Sequence, residues 1–352
     1  MNLGVYLHVP FCRRRCDYCA FATWTDRTEL SERYLAACRR QILSAAPDLA
    51  PVTSGFVGGG TPSLVAPDAL VDVLSTVPFS AGAEITVECN PDDVTPELLR
   101  TYRDGGVNRL SFGVQSMVPS VLAALGRTHD PANVNRAAES AHQVGLAFNI
   151  DLIYGTAGES LEDWSDTLDR AIALGPSHVS AYALTVEPGT PLAADPSRHP
   201  DDDDQADKYE MATVRLATAG FEWYEISNWA RPGCQCLHNL LYWSGGEYLG
   251  VGCAAHSHRA GRRSWNLHTP ERYVAAIEAG RSPVAGDEQL DAEARRRERL
   301  QLAIRTAAGV PADDVPDTLF EELPGLIDRQ EDRVVLTRQG RLVANEVAIR
   351  LG

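Results

Sequence analysis

The 352-residue sequence has one lysine, Lys208, no apolar run long enough to cross a membrane, and few cysteines. A membrane-spanning helix needs about 20 consecutive apolar residues, and residues 1–7 lack the charged and apolar regions of a signal peptide. Eight cysteines in a chain of this length do not make a disulfide scaffold. These absences predict a cytoplasmic protein in a reducing environment, with at most peripheral membrane contact.

An excess of positive charge is also missing. The net charge at pH 7 is −16, and so acidic a chain repels the phosphates of nucleic acids. We therefore expect no nucleic-acid partner. The local exception is the basic run Arg13, Arg14 and Arg15. Two interpretations of it stay open: solvated loop charges, or a surface that senses a carboxylate-bearing ligand or a reductase.

What the sequence does contain is a regular alternation of strand-like and helix-like segments. Apolar runs are followed by stretches with helical periodicity, and this unit occurs six times. The predicted strands are residues 3–9, 53–57, 84–89, 108–112, 146–152 and 178–184. Such alternation favours a parallel α/β sheet covered by crossover helices. Six units are fewer than the eight of a closed TIM barrel, so an open barrel and a doubly wound sheet both fit the pattern.

The chain is predicted to have three regions. Residues 1–215 hold the six units, residues 216–290 connect, and residues 291–352 form a smaller α+β module. In that module two helices, a hairpin through residues 334–336 and a helix over residues 338–350 follow in an order that resembles a winged helix. DNA binding fits an acidic chain poorly, so we interpret the module as a lid or interaction domain.

Three cysteines follow the first predicted strand in the spacing Cys12-x3-Cys16-x2-Cys19. Thiolates this close can hold one iron–sulfur cluster, and three ligands on a four-iron cluster leave one iron open. A zinc site would need a fourth ligand, and no Cys or His lies between Cys19 and Cys38. A disulfide would leave one thiol over and suits secreted proteins better. The spacing therefore favours a [4Fe–4S] cluster.

Polar and glycine residues also mark the ends of the other predicted strands. In barrels of parallel strands the chemistry lies at the C-terminal strand ends. Each such residue alone suggests only a rim side chain or a turn, but together they predict one site. They are Tyr6, residues 58–61, Glu88, Gln115, Asp151 and Ala183.

These motifs resemble the radical-SAM branch that contains the oxygen-independent coproporphyrinogen III oxidases and the haem chaperones. The resemblance implies an open (β/α)6 partial TIM barrel and a [4Fe–4S] cluster on the three cysteines, with S-adenosylmethionine on its open iron. The segments that carry it are Tyr6-x-His-x-Pro-Phe-Cys12, Gly58-Gly-Gly-Thr-Pro62, Glu88-x-Asn-Pro91, Arg109-x-Ser-x-Gly-x-Gln-Ser116, Leu125-Gly-Arg127 and Asp151-Leu-Ile-Tyr-Gly155.

The resemblance also implies which residues contact S-adenosylmethionine, and their chemistry suits the ligand. Glycines let the backbone approach closely, carboxylates and amides accept from ammonium and hydroxyl groups, and arginine clamps a carboxylate. The implied contacts are Tyr6, Gly59, Gly60, Thr61, Glu88, Gln115, Arg127, Asp151 and Ala183.

Three features favour a haem chaperone over an oxidase. The oxidases carry a fourth cysteine where this chain has Phe21, and a longer segment before the cluster motif. The segment His238-Asn-Leu-Leu-Tyr242-Trp243 resembles the H-N-x-x-Y-W signature of the chaperones. We expect haem as cargo, haem-accepting respiratory proteins as recipients, and an electron donor. The alternatives are coproporphyrinogen III oxidation and a radical reaction on another tetrapyrrole.

His238 is the candidate haem ligand. Imidazole is a common axial ligand, and aromatic neighbours suit the macrocycle. The alternative is that His238 ties a loop to the barrel while Tyr242 and Trp243 are core residues. Cys234 and Cys236, just upstream, are interpreted as ordinary thiols, with ligation as the alternative.

Overall fold

The computed structural model describes residues 2–49 and 51–351. Six parallel strands pair in chain order, without the reversal that defines a doubly wound sheet. This order confirms the open (β/α)6 partial barrel. The strands are β1 Leu3–Val9, β2 Val52–Gly59, β3 Phe79–Cys89, β4 Arg109–Gln115, β5 Ala147–Tyr154 and β6 His178–Ala183.

Helices connect these strands, and sequence signals set several of their ends. Thr95 accepts a hydrogen bond from Leu98 N at 3.2 Å and begins α3. Ser160 and Asp163 form a capping box at the start of α6. Gly145 ends α5 in the left-handed region at φ 77°. The helices are α1 Ser31–Ala45, α2 Pro67–Leu74, α3 Pro96–Asp104, α4 Pro119–Ala124, α5 Pro131–Val144 and α6 Leu161–Ala173.

The sheet continues beyond the six strands at both edges, to twelve strands in all. At one edge a turn at residues 226–227 joins the hairpin strands β7 Glu222–Glu225 and β8 Asn228–Ala230. At the other edge, beside β1, lie β9 Glu247–Val251, β10 His256–Arg259, β11 Arg262–Asn266 and β12 Val284–Gln289. Helices α7 Asp202–Thr218, α8 Leu237–Trp243 and α9 Pro270–Glu278 belong to these extensions.

Lys208 of α7 is fully buried and joins α7 to the loop after β5. Its ammonium lies 2.6 Å from Asp204 Oδ2 and 3.2 Å from Glu159 Oε2, and it donates to Glu159 O at 2.8 Å. Glu159 in turn accepts from Gly155 N at 2.8 Å. A buried ammonium needs such partners, so this lysine positions a loop at the C-terminal ends of the strands.

The C-terminal residues pack around a hydrophobic core of their own. Their elements are α10 Ala292–Ala303, β13 Val310–Pro311, α11 Thr318–Glu322, β14 Ile327–Gln330, β15 Arg333–Leu336, α12 Arg338–Leu342 and α13 Ala344–Arg350. The helix predicted over residues 338–350 is interrupted at Val343, whose ψ of 31° leaves the helical region. Arg341 lies over the ring of Trp223 in β7, 3.5 Å from its centroid. This contact attaches the module to the barrel edge.

The inner face of the barrel is polar along its strands as well as at their ends. Glu88, Ser111 and Asn149 lie side by side on β3, β4 and β5, and hydrogen bonds join Ser111, Asn149 and Asp151. No helix among the described residues is long and apolar enough to cross a membrane.

Candidate functional site

The cysteine loop, residues 11–24, follows β1 directly and is fixed at both ends and in its middle. Cys12 N donates to Trp24 O at 3.0 Å, and Asp17 N donates to Leu125 O at 3.2 Å. Cys12, Cys16 and Cys19 are all partly exposed and unpaired thiols. Burial raises the pKa of Cys12, and the neighbouring Cys19 and Cys16 raise it further. Cys19 N donates to Cys16 O at 3.2 Å, which holds two of the three cysteines in one turn.

Two hydrogen-bond donors approach the sulfur atoms of this loop. Thr61 Oγ1 lies 3.6 Å from Cys12 Sγ. Arg127 Nη1 lies 3.7 Å from Cys16 Sγ, and its Nη2 donates to Gly113 O at 2.5 Å. Donors to ligand sulfurs orient them and stabilise their negative charge. Sequence reasoning assigned Thr61 and Arg127 to S-adenosylmethionine, and the structure places both against cysteines.

The donor set suits an iron–sulfur cluster, because cysteine thiolates are its usual ligands. Among the residues described, no three Cys, His, Asp or Glu side chains converge closely enough to hold one metal ion. The thiolates of a four-iron cluster each bind a different iron, so they need not converge on one point. The C-terminal ends of the strands are called here the barrel mouth. Three unpaired thiols lie there, two of them with hydrogen-bond donors to their sulfurs, as ligands of a cluster would.

The glycine segment after β2 requires glycine for two separate reasons. Gly59 has a φ of +108°, which L side chains rarely adopt, and a Cβ there would lie 2.3 Å from the ring of His8. A Cβ on Gly60 would lie 2.7 Å from Phe11 O. Gly59 N donates to Glu88 Oε2 at 3.2 Å. Close packing thus brings β2, β3 and the start of the cysteine loop together.

Glu88 and Asp151 are two buried acids on the inner face of the barrel. Burial, aided by the charge of Asp151, raises the pKa of Glu88 to about 8 against the effect of the Gly59 amide. Burial also raises the pKa of Asp151, although it accepts from Ser111 Oγ at 2.7 Å and Asn149 Nδ2 at 2.7 Å. Two acids this close to one another favour a cationic ligand.

Gln115 ends β4 in an unusual conformation. Its φ is +59°, in a region that costs a non-glycine residue about 1–3 kcal/mol. The pairing of β4 with β5 shifts by one residue between Gly113 and Gln115. Its buried Oε1 has no hydrogen-bond partner. A strained residue with an unpartnered acceptor is typical of a site that binds a ligand.

Tyr6 and Ala183 lie at opposite sides of this site. Tyr6 OH is 3.1 Å from His8 Nδ1, and His8 Nε2 is 2.8 Å from Ala22 O in the cysteine loop. Ala183 is the last residue of β6 and contributes only backbone and a methyl group. Sequence reasoning missed His8 as a link between Tyr6 and the loop, although this histidine lies within the first motif.

His238 lies at the other end of the barrel. The N-terminal strand ends are covered by α8, and this end, with Ser54, Glu84, His178 and His238, is called here the barrel floor. A Cβ on Gly4 would lie 3.0 Å from the His238 ring. Gly4 and Val9 are five residues apart on β1, so about 16 Å of strand, at about 3.3 Å per residue, lies between Gly4, which His238 contacts, and the end of β1 that leads into the cysteine loop.

Both ring nitrogens of His238 are occupied. Nδ1 lies 3.0 Å from Ser54 Oγ and Nε2 lies 2.9 Å from Tyr242 OH, and the side chain is fully buried. Burial lowers the pKa of His238 to about 4, so the ring is neutral. In this arrangement neither nitrogen is free to bind a metal. Cys236 is buried beside it, with Sγ 3.4 Å from Glu84 Oε1.

Four polar side chains extend from Asp151 across the neighbouring strands β6, β8 and β7, and sequence reasoning did not find this row. Asp151 pairs with Ser180, Ser180 with Asn228 and Asn228 with Glu225, so all four lie on one face of the sheet. Asn228 Oδ1 and Glu225 Oε1 are buried without a partner. Burial raises the pKa of Glu225 to about 7. No local motif marks Glu225 and Asn228, because the hairpin β7–β8 decides where they lie.

Comparisons with known proteins identify relatives of this chain. The Radical SAM superfamily model matches residues 6–171. A protein of Mycobacterium tuberculosis named "Heme chaperone HemW" is 44% identical over 98% of this chain and 93% of its own length. Proteins of the same name from Escherichia coli and Bacillus subtilis are 35% and 33% identical, each over 98% of this chain and 97% of their own.

A solved structure shares the fold. The coproporphyrinogen III oxidase HemN from Escherichia coli superimposes with a TM-score of 0.86 over 99% of this chain and 90% of that one. Its sequence is 23% identical, so the likeness concerns the fold alone.

Proposed function

The chain belongs to the HemW family of haem chaperones, within the radical SAM superfamily, and on this premise we propose that it binds haem and delivers it to haem-dependent respiratory proteins. The observation that carries the proposal is the cysteine loop at the barrel mouth, with donors to two of its sulfurs, in a chain similar to these chaperones over 98% of its length.

Cys12, Cys16 and Cys19 hold a [4Fe–4S] cluster in this proposal. With S-adenosylmethionine bound, such a cluster supplies one-electron chemistry. Thr61 and Arg127 keep the thiolates in place through the hydrogen bonds described above. Arg127 Nε is buried without a partner, so one donor of the guanidinium group stays available for the carboxylate of S-adenosylmethionine.

The other proposed contacts divide by chemistry. Gly59 and Gly60 admit the ligand to the backbone, while Glu88 and Asp151 attract its positive charge. Gln115 offers an unpartnered acceptor. Tyr6, Thr61 and Ala183 complete the set at the ends of β1, β2 and β6.

His238 stays the candidate for haem ligation, with a condition set by its contacts. A metal can bind Nδ1 only if Ser54 moves away, or Nε2 only if Tyr242 does. The eight unpaired cysteines suit a reducing cytoplasm, where an electron donor for the cluster would be present.

Haem titration of the anaerobically reconstituted protein tests the proposal. We expect stoichiometric binding by the wild type. His238→Ala is expected to bind more weakly, and Tyr242→Phe, which frees Nε2, at least as tightly as wild type. No haem binding by the wild type would reject the chaperone. Equal haem binding by the wild type and both variants would support the chaperone function but would show that a residue other than His238 binds the haem iron. Conversion of coproporphyrinogen III in a parallel assay would support the oxidase instead.

A further inference from the structure

The row of polar side chains that starts at Asp151 continues across the inner face of the sheet as far as Glu225. Neighbouring strands lie about 4.8 Å apart, so the three strand spacings from β5 to β7 place Glu225 roughly 14 Å from Asp151 along the sheet. The residues proposed to contact S-adenosylmethionine reach only to Ala183 at the end of β6. Asn228 and Glu225, at the far end of the row, therefore take no part in the function proposed above.

These two residues are buried acceptors without donors. Glu225 is 1% exposed and Asn228 is 3% exposed. Among the residues that the structure describes, Glu225 Oε1 and Asn228 Oδ1 have no hydrogen-bond partner, whereas Glu225 Oε2 accepts from Ser227 N at 3.3 Å. A buried acceptor without a donor is unfavourable. Because the two residues occupy paired positions of the hairpin β7–β8, the donors of one bound molecule would satisfy both.

Tyr182 shows that the interior of the barrel is open beside these acceptors. It follows Ser180 by two residues on β6, so its side chain faces the interior as that of Ser180 does. Tyr182 is 40% exposed, yet burial within the barrel and the charges of Asp151 and Glu225 raise the pKa of its hydroxyl group. An inward-facing residue that is exposed and also close to two acids borders a space inside the barrel.

Aromatic rings flank the Glu225 carboxylate at this space. Burial raises the pKa of Glu225 to about 7, and the Ser227 amide and the Trp243 indole act against that rise. Trp243, the last residue of α8, therefore lies next to the carboxylate, as Tyr182 does. The faces of aromatic rings attract cations, most strongly where water is excluded.

The charges that face this part of the interior also favour a cation. Glu225 and Asp151 lie at its two ends, and buried acids stabilise a positively charged ligand. Arg109 faces the interior too, but at the start of β4, with Cys236 and Glu84 beside its guanidinium group. Carboxylates, aromatic rings and unpaired acceptors thus meet at one open place.

We propose that Tyr182, Asn228 and Glu225 form a second ligand site inside the barrel, which binds a small organic cation with an ammonium or amidinium group. Glu225 Oε1 and Asn228 Oδ1 accept hydrogen bonds from its N–H groups, and the ring of Tyr182 packs against it. The bound cation lies on the side of the barrel formed by β6, β8 and β7, beside the residues proposed for S-adenosylmethionine. The inference rests on the interior of the barrel and does not depend on haem binding.

Benzamidinium and benzamide, a cation and its neutral analogue of nearly the same shape, serve as probes. Each is titrated by calorimetry into the anaerobically reconstituted full-length protein, with and without S-adenosylmethionine, at pH 8, where Glu225 is mostly ionised. Glu225→Gln and Asn228→Leu change the site at nearly constant side-chain size. Glu222→Gln makes the same change of charge at an exposed glutamate of the same strand and is the control.

The wild type is expected to bind benzamidinium at least about 10-fold more tightly than benzamide, because only the cation makes a charge-assisted hydrogen bond with Glu225. Glu225→Gln should lose at least about 10-fold in benzamidinium affinity and most of the preference over benzamide. Asn228→Leu should weaken both probes, since it removes an acceptor that both use, and Glu222→Gln should behave as wild type. S-adenosylmethionine should bind all variants equally and should not displace benzamidinium.

Four results would overturn the proposal. The wild type binds no benzamidinium, or it binds benzamide equally well. S-adenosylmethionine displaces benzamidinium, which would place the probe at Glu88 and Asp151. Neither Glu225→Gln nor Asn228→Leu weakens the probe. Glu222→Gln weakens benzamidinium as much as Glu225→Gln does, which would mean that only the net charge of the chain matters. Haem titration of the same wild-type protein decides the proposed function separately.

Discussion

The two ends of this barrel are both polar, but the two buried histidines at the floor are fully hydrogen-bonded, whereas two functional side chains at the mouth are not. At the floor, His238 uses both ring nitrogens, and so does His178, which is 2.6 Å from Asn149 Oδ1 and 2.7 Å from Tyr224 OH. At the mouth, Gln115 Oε1 and Arg127 Nε are buried without partners. A buried polar group without a partner costs roughly 1–3 kcal/mol. The difference indicates that His178 and His238 support the fold, whereas Gln115 and Arg127 are arranged for ligands.

The largest effect is expected when one of the three cysteine thiols at the mouth is removed. Cys16→Ala is expected to lose the cluster completely while staying folded, because the partly exposed side chain contributes little to the core. Iron and sulfide content and visible absorption measure the cluster, and circular dichroism measures the fold. Cys234→Ala, at another partly exposed cysteine, serves as the control and keeps its iron. Full iron content in Cys16→Ala would contradict the cluster.

At the floor, His238→Ala is expected to lower the free energy of unfolding by about 3 kcal/mol, because it opens a cavity and leaves Ser54 and Tyr242 unpaired. Gln115→Ala at the mouth is expected to cost less than about 1 kcal/mol, since its Oε1 has no partner to lose. Urea denaturation of both apo variants makes the measurement. Equal losses of unfolding free energy in the two variants would mean that His238 and Gln115 contribute equally to the fold.

The pH dependence of stability separates the ends by sign. The pKa of folded His238 is about 4, below its ordinary value of 6.5. The neutral ring therefore contributes fully to the free energy of unfolding above pH 6.5. This contribution, roughly 3 kcal/mol, is lost as the pH falls toward 4. The gap in stability between wild type and His238→Ala should shrink accordingly between about pH 7.5 and about pH 4.5. A constant gap would mean that His238 titrates normally.

Glu88 behaves in the opposite sense. Without ligand, the pKa of Glu88 is about 8, above the ordinary value of 4.5. The contribution of the protonated carboxyl to the free energy of unfolding is therefore complete below pH 4.5 and is lost as the pH rises through 8. A cationic ligand lowers this pKa, so S-adenosylmethionine should release close to one proton near pH 7. Calorimetry of reconstituted protein in buffers of different ionisation enthalpy counts the protons. Glu88→Gln should release none and bind about 10-fold more weakly, and undiminished release would assign the proton to another group.

The smallest effect concerns backbone strain at the mouth. Gln115→Gly is expected to raise the free energy of unfolding by up to about 1 kcal/mol, because glycine adopts φ +59° without penalty. The same change should weaken S-adenosylmethionine binding, since the side-chain acceptor is gone. Thermal unfolding and ligand titration give the two values. A stability loss would mean that the Gln115 side chain supports the fold.

Much of the architecture was predictable because its signals are local. The strand–helix alternation predicted the six parallel strands, the family resemblance implied the partial barrel that the strand order confirmed, and β1 has the predicted bounds. Thr95 and Gly145 mark helix ends through contacts within a few residues. The hairpin β7–β8 has no such local signal, because its turn at residues 226–227 carries neither glycine nor proline.

The candidate site divides in the same way. That the strand-end motifs share one edge follows from parallel pairing, so the grouping of Glu88, Gln115 and Asp151 near the cysteine loop was predictable. The contacts of Thr61 and Arg127 with sulfur were not, since each joins residues far apart in the chain.

By itself, the order of residues determined six parallel strands, a loop of three thiols and the polar ends that surround it. Only the tertiary structure decided that His238 lies at the far end of the barrel with both nitrogens bonded, and that Glu225 and Asn228 face the interior. The reason is physical. Periodicity and spacing report on neighbours along the chain, whereas hydrogen bonds between residues far apart in the sequence depend on how the strands of the whole sheet are arranged.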